Sequence, residues 1–183
     1  MDSSSRLKDL HSHFLATSTQ SMPVAGMIFW AVVGIAALFL EPVPVAYVVL
    51  FGSGMIFPLA LLIDRATGSN RIQRASAENP LTRLFLRSIV MVVLLWPLPI
   101  IAAQLAGDPT LVVLGGAILM GIIWIPYGWA ADDPTGMQHA VGRVVGSYAA
   151  FLVAPDPYRA SAISAVVLLS YLYSLVRMRR PRG

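Results

Sequence analysis

The chain is 183 residues long, 57% hydrophobic and 12% charged, with a formal net charge of +4 and a mean hydropathy of +0.72. Soluble domains carry about 25% charged residues; here the 13 basic and 9 acidic residues leave charge-free runs at 10–40, 42–63, 88–107 and 109–131, with shorter ones at 144–155 and 160–176. A helix needs about 20 apolar residues to cross a hydrocarbon core of about 30 Å, so this pattern excludes a soluble enzyme, a nucleic-acid module, a disordered chain and a single-span anchor, and predicts an all-α, multi-pass membrane protein.

The first 20 residues are polar and serine-rich. Leu7, Leu10 and Phe14 recur at helical spacing, which fits a short interfacial helix and equally a loose terminus. Pro23–Leu40 follows, too long for the apolar stretch of a signal peptide and ending at Glu41-Pro42 with no small-residue cleavage site. It is expected to stay as the first span. The remaining spans are predicted near 43–63, 82–106, 110–131, 137–154 and 160–177, which makes a six-helix bundle of residues 21–183 behind the N-terminal segment 1–20. Asn79-Pro80, Asp108-Pro109, Asp133-Pro134 and Asp156-Pro157 stand at the starts of spans three to six. In each pair the Asn or Asp can accept from the orphan N–H groups of a first helical turn, and proline at that point sacrifices no hydrogen bond.

Inside the spans, Pro58, Pro97, Pro99 and Pro126 each remove a backbone donor and are expected to kink their helices. Phe57, Trp96 and Trp124 lie beside them. Broken helices line binding sites in some transporters, and proline is also common in membrane helices generally.

Arginine and lysine set the orientation. Arg6 and Lys8, then Arg65, Arg71, Arg74, Arg83 and Arg87, then Arg177, Arg179, Arg180 and Arg182 fall on one side. Arg159 alone falls on the other. Eleven against one puts both termini and the 64–81 loop in the cytoplasm. It also favours an even number of spans, because a fifth and last span would place the arginine-rich tail outside. Twelve of the 13 basic residues are arginine, a bias of GC-rich bacterial genomes, and the expected location is a bacterial inner membrane. The outer turns, Glu41-Pro42, Asp108-Pro109 and Asp156-Pro157, are short.

Ionisable groups within membrane spans are functional candidates by default. In the fifth predicted span His139, Arg143 and Ser147 lie at i, i+4 and i+8 and so share a face. Asp132 and Asp133 stand at the mouth of that helix, and Arg87 enters span three from the same side. Together with Trp124 these residues define a candidate cytoplasm-facing polar pocket. Two guanidinium groups there suit an anionic ligand, since arginine holds carboxylate or phosphate bidentately. The plainer alternative is that Arg87 and Arg143 snorkel to the headgroups or pair with Asp132 and Asp133. Gly142, Gly146 and Ala150 form an adjacent small-residue stripe that permits close helix packing.

Catalytic chemistry finds no support. The chain has no cysteine, no glycine-rich phosphate loop and no G-x-S-x-G. Ser53 has no base beside it, and Arg143, the neighbour of Ser147, cannot act as one. His11-Ser12-His13 and His139 do not make a metal set, which needs three converging protein ligands. No cofactor is implied.

The segments Gly54–Ile63 and Asn79–Phe85 and the His139…Arg143 pair resemble a family of small bacterial multi-pass membrane proteins of unknown function, along most of the transmembrane region. The resemblance implies an integral membrane protein and gives no substrate or reaction. Two readings follow. One is a binder or transporter of a small molecule or ion, held in the lipid bilayer, with its pocket around His139 and Arg143. The other is a non-catalytic membrane protein that associates with itself or with partners through faces such as Gly142/Gly146/Ala150.

Overall fold

Helix starts in this chain are set by side chains that stand in for the missing helical acceptor. Asn79 Oδ1 accepts from Leu81 N at 2.9 Å, Asp108 Oδ1 from Thr110 N at 2.9 Å, and Asp133 Oδ1 from Thr135 N at 2.9 Å. Each acid or amide precedes a proline, as the sequence pattern requires. Asp156 instead pairs with Arg159 at 3.2 Å.

The computed structural model describes residues 3–68 and 78–179, and these are helical with no strand among them. In order they form α1 (Ser3–Thr17), α2 (Ser21–Ala36), α3 (Pro42–Gly52), α4 (Ile56–Ala66), α5 (Pro80–Leu94), α6 (Pro97–Ala106), α7 (Thr110–Ile122), α8 (Trp124–Ala130), α9 (Thr135–Val153) and α10 (Arg159–Arg177). Arg71, Arg74, Arg180 and Arg182 lie outside the described residues.

The breaks within rods follow from proline chemistry. A proline cannot donate to the carbonyl four residues back and its ring crowds that carbonyl. Pro58 leaves Gly54 unserved, and Ser53–Met55 between α3 and α4 tightens to a 3-10 turn in which Ile56 N reaches Ser53 O. Pro97 and Pro99 leave the carbonyls of Val93 and Leu95 to Trp96 N at 3.2 Å and Leu98 N at 3.0 Å. Pro126 leaves Ile122, where α7 gives way to α8.

Joined across these breaks, α3–α4, α5–α6 and α7–α8 are three rods of 25, 27 and 21 residues, each long and apolar enough to cross a membrane. The 19-residue α10 is the fourth such helix, and the pair α1–α2, bent by 53°, is a fifth if counted as one. The described residues thus hold seven helical rods, one more than the six expected. The addition is α1, which the sequence left open between a helix and a loose end. The first expected span, α2, is 16 residues long and meets the length of a span only together with α1. The fifth, α9, has the length of α10 but carries Gln138, His139 and Arg143 in its first half, and it is not among the helices apolar enough to cross by composition.

The core lies where α2, α7, α9 and α10 meet. Helix α10 packs on α9 and α2, and α7 packs on α9. Trp30, Val33, Val113, Ala117, Ile163 and Val167 are among its most enclosed residues. Helices α3–α4 and α5–α6 flank it and keep long apolar faces open, including Phe51, Leu62, Met91 and Leu98. Close approach is secured by small residues. A Cβ on Gly128 would sit 2.8 Å from Gly136 Cα and from Asp133 O, so α8 and the start of α9 touch backbone to backbone.

Helix α1 lies against the ends of α5 and α8. Phe14 is buried with Leu81, Ala130 and Ala131. Asn79 Nδ2 donates to Leu10 O at 2.9 Å, and His11 Nδ1 lies 2.9 Å from Ala130 O. At the α1–α2 bend, Thr19 and Ser21 both donate to Asp64 Oδ1, at 2.5 and 2.6 Å.

Candidate functional site

The i, i+4, i+8 stripe of α9 faces the interior. His139 is 1% exposed, and Arg143 and Ser147 are fully enclosed. A guanidinium can pass between α9 and α7 because α7 carries Gly121 at the contact. A Cβ there would lie 3.1 Å from Arg143 Cδ and 3.4 Å from Nε. One turn earlier on α7, the Ala117 carbonyl accepts from Arg143 Nε at 2.7 Å, using the lone pair that the helix leaves free.

Aromatic rings complete the enclosure. The Arg143 Cζ lies 5.3 Å from the Trp30 ring centroid and 5.3 Å from that of Tyr171. Trp124 stacks on the His139 imidazole at 3.9 Å and 14°. Tyr171 meets that imidazole edge-on at 5.1 Å. His139 Nδ1 lies 2.7 Å from Ser174 Oγ. Five helices therefore build the site: α2 gives Trp30, α7 gives Gly121 and the Ala117 carbonyl, α8 gives Trp124, α9 gives the polar stripe and α10 gives Tyr171 and Ser174.

The polar atoms at its centre are not paired. Arg143 Nη1 and Nη2, His139 Nε2, Ser147 Oγ and Trp30 Nε1 are all buried without a hydrogen-bond partner. The Tyr171 hydroxyl lies near enough to the guanidinium to interact with it electrostatically and as a side-chain hydrogen-bond partner, although it does not meet the full geometry of a formed bond to Nη1 or Nη2. No carboxylate among the described residues forms an ion pair with Arg143. Cation–π contact is worth about 2 kcal/mol when desolvated, and the Ala117 bond about 1.5–3 kcal/mol as a charged hydrogen bond. Neither supplies an acceptor for the terminal N–H groups, and each buried group left unmade costs about 1–3 kcal/mol or more.

The other expected members of the pocket lie elsewhere. Arg87 is exposed on α5. Asp132 is exposed and pairs with Arg179 at 3.2 Å. Asp133 caps α9 and accepts from Arg179 N at 2.6 Å. Burial works against its carboxylate, but the N–H of Arg179 and the hydroxyl and N–H of Thr135 outweigh that and hold its pKa below the usual value. These two acids latch the end of α10 to the α8–α9 turn, where Asp132 takes a left-handed φ of 51°. Arg143 therefore neither snorkels nor pairs with them. The reason is geometric: its stem runs sideways over Gly121 instead of along α9 toward the turn.

The small-residue stripe is divided. Gly146 is filled by α10, since a Cβ there would meet Val166 Cγ1 at 2.7 Å, whereas Gly142 has nothing within 4 Å. Sequence reasoning missed Trp30, Tyr171, Ser174 and Gly121. For two of them a signal existed. Ser164, Val167, Tyr171 and Ser174 recur at three- and four-residue spacing on α10, a polar-bearing stripe that faces inward.

Comparison with known proteins fits this unassigned chemistry. The family of unknown function DUF7010 matches residues 11–179. The chain belongs to the DUF7010 family. That match runs from α1 to the Arg179 latch, so the whole cluster lies inside the DUF7010 region. No curated protein and no solved structure matches the chain.

Proposed function

We propose that the chain is a multi-pass protein of the bacterial inner membrane that binds a small anionic molecule at Arg143. The observation that carries this reading is the fully enclosed guanidinium whose two terminal nitrogens make no fully formed hydrogen bond and whose charge meets no carboxylate among the described residues. Burying an ion costs several kcal/mol unless a partner of opposite charge compensates it. A monovalent anion supplies that charge and accepts from Nη1 and Nη2 together. Ser147 Oγ and Trp30 Nε1 are further buried donors in the same enclosure.

The proposed topology has six spans, namely α2, α3–α4, α5–α6, α7–α8, α9 and α10, with both ends in the cytoplasm. Helix α9 qualifies despite its polarity because α7, α8 and α10 cover its ionisable face. The exposed side is mostly apolar, with Val141, Val145, Leu152 and Val153, and its polar Gln138 lies in the first turn, paired with Tyr173. Helix α1 then rests at the inner leaflet. Arg143 is about 12 Å into α9 from its cytoplasmic start at the 1.5 Å rise per residue.

The test is a thermal-shift series on the detergent-purified protein with chloride, formate, acetate and inorganic phosphate, run beside Arg143→Gln. A ligand at about 100 times its Kd adds about 2.7 kcal/mol of stability. A rise in wild-type Tm that disappears in Arg143→Gln supports the reading. A rise that survives the substitution, or no rise with any anion, sinks it.

A further inference from the structure

We infer that the anion held by Arg143 is a single dehydrated halide, chloride or bromide, that accepts end-on from Nη1 and Nη2; this rests on the Arg143 reading above and narrows it to one class of ligand. Charge is the first constraint. The guanidinium meets no carboxylate among the described residues. Helix α2 reaches it through Trp30 and α7 through Gly121 and the Ala117 carbonyl, and neither helix carries an ionisable side chain. One positive charge without a counter-charge matches a monovalent anion and would leave a dianion half compensated.

The donors are the second constraint. One edge of the guanidinium is occupied, since Nε donates to Ala117 O at 2.7 Å. The Nη1–Nη2 edge remains, and the buried Trp30 Nε1 belongs to the ring that faces it. Arginine and tryptophan side chains only donate, so the ligand matched here presents lone pairs and no hydrogen. That disfavours hydrogen carbonate and the protonated forms of phosphate.

Space decides between a halide and a small carboxylate. Nη1, Nη2, Trp30 Nε1 and Ser147 Oγ are enclosed with virtually no surface that a water could touch. The walls are held from several sides. The ring centroids of Trp30 and Tyr171 each stand 5.3 Å from Arg143 Cζ. The Tyr171 hydroxyl is seated against α2, where a Cβ on Gly26 would overlap it. The stem of Arg143 lies on Gly121 of α7, whose added Cβ would stand 3.1 Å from Cδ. Each further ligand atom therefore has to part α2 or α7 from the packed α9–α10 pair. A monatomic ion asks for about the share of one water, about 30 Å³; formate and acetate ask for more. A water in that space would serve the N–H groups but bring no charge. An ion held there has lost its hydration shell, and that cost falls as ionic radius grows, so chloride and bromide are favoured over fluoride.

The experiment uses the full chain in phosphatidylcholine nanodiscs at constant ionic strength. The probes are sodium fluoride, chloride, bromide, formate and acetate, balanced with gluconate, whose bulk keeps it out of the enclosure. Thermal stability is read for wild type, Arg143→Gln and Arg143→Met; the methionine variant fills the space of the stem with an apolar chain and so keeps the fold without an anion. The expected result is that chloride and bromide raise wild-type Tm at concentrations at least tenfold below formate and acetate, that fluoride is weaker than chloride, and that neither variant responds. Formate or acetate acting at the same concentration as chloride overturns the halide proposal while leaving the Arg143 site standing. So does fluoride acting at or below the concentration of chloride. If no anion stabilises wild type, or if the variants respond as wild type does, the Arg143 reading falls and the halide proposal with it.

Discussion

At the scale of single residues, Arg143 and Asp133 show how differently two charges near one helix are compensated. Asp133 is stabilised by donors the chain itself provides: Thr135 N at one oxygen and Arg179 N at the other. Because its folded pKa is depressed, its contribution is fully present above the ordinary Asp range and is lost as pH falls through the folded value. Asp133→Asn is therefore expected to lower Tm at neutral pH, with the gap to wild type closing as pH is taken toward 3. A gap that stays constant with pH would mean that the carboxylate charge contributes nothing. Asparagine keeps an oxygen that can accept from Thr135 N, so the cap survives the substitution and the difference in Tm reads the charge. Arg143, in contrast, is compensated by two ring faces, one carbonyl and the neighbouring Tyr171 hydroxyl, with no carboxylate paired to it among the described residues. Without an anion, an apolar side chain of similar length should serve the fold at least as well, since replacing buried ionic groups by apolar ones is often neutral or stabilising by about 1–4 kcal/mol. Arg143→Met is expected to match or exceed wild-type Tm in anion-free buffer, which differential scanning calorimetry reads directly. A large loss there would show that the guanidinium is structural.

At the scale of elements, small residues decide where helices can meet. Gly128 and Gly136 bring α8 and α9 into backbone contact. Gly128→Val is expected to destabilise by about 1–3 kcal/mol or more, the usual cost of overpacking, seen as reduced Tm together with loss of the Arg179 latch on the adjacent turn. Gly121→Leu is a different case. Its Cβ would press on Arg143 Cδ at 3.1 Å, the flexible stem of a side chain, so the structure can yield by moving the guanidinium. The expected outcome is a modest loss of stability with a complete loss of anion response. An unchanged anion response would place the ligand away from that stem. The proline breaks belong to the same scale. They were readable from sequence because a proline acts on a carbonyl at a fixed distance along the chain, four residues back, whatever surrounds it. Asn79, Asp108 and Asp133 were readable as caps for the same reason, since the bond runs to an N–H two residues away.

At the scale of the whole molecule, the absence of cysteine makes topology directly measurable. With single cysteines introduced at exposed positions, Glu41→Cys and Asp156→Cys are expected to react with a membrane-impermeant maleimide in intact cells. Ser12→Cys is expected to react only after permeabilisation. Labelling of Asp156→Cys only after permeabilisation would remove α9 from the count of spans and with it the even number. The distribution of apolar surface fits the proposed arrangement: α3–α4 and α5–α6 bury little and face outward, whereas α7–α8 is half enclosed.

Composition and local chemistry by themselves determined that the described residues are helical, where the proline breaks fall, and that His139, Arg143 and Ser147 share one face. Each of these rests on interactions between residues a few positions apart, which a sequence displays in order. What only the tertiary structure decided is the environment of that face. Trp30 is more than 100 positions from Arg143, and Gly121 and Tyr171 approach it from opposite sides of the chain. Their convergence depends on helix packing, and it turns an arginine that could have reached a headgroup or an aspartate into an enclosed cation with unanswered donors. The same packing filled Gly146 and left Gly142 open, a difference that two identical letters four residues apart cannot express.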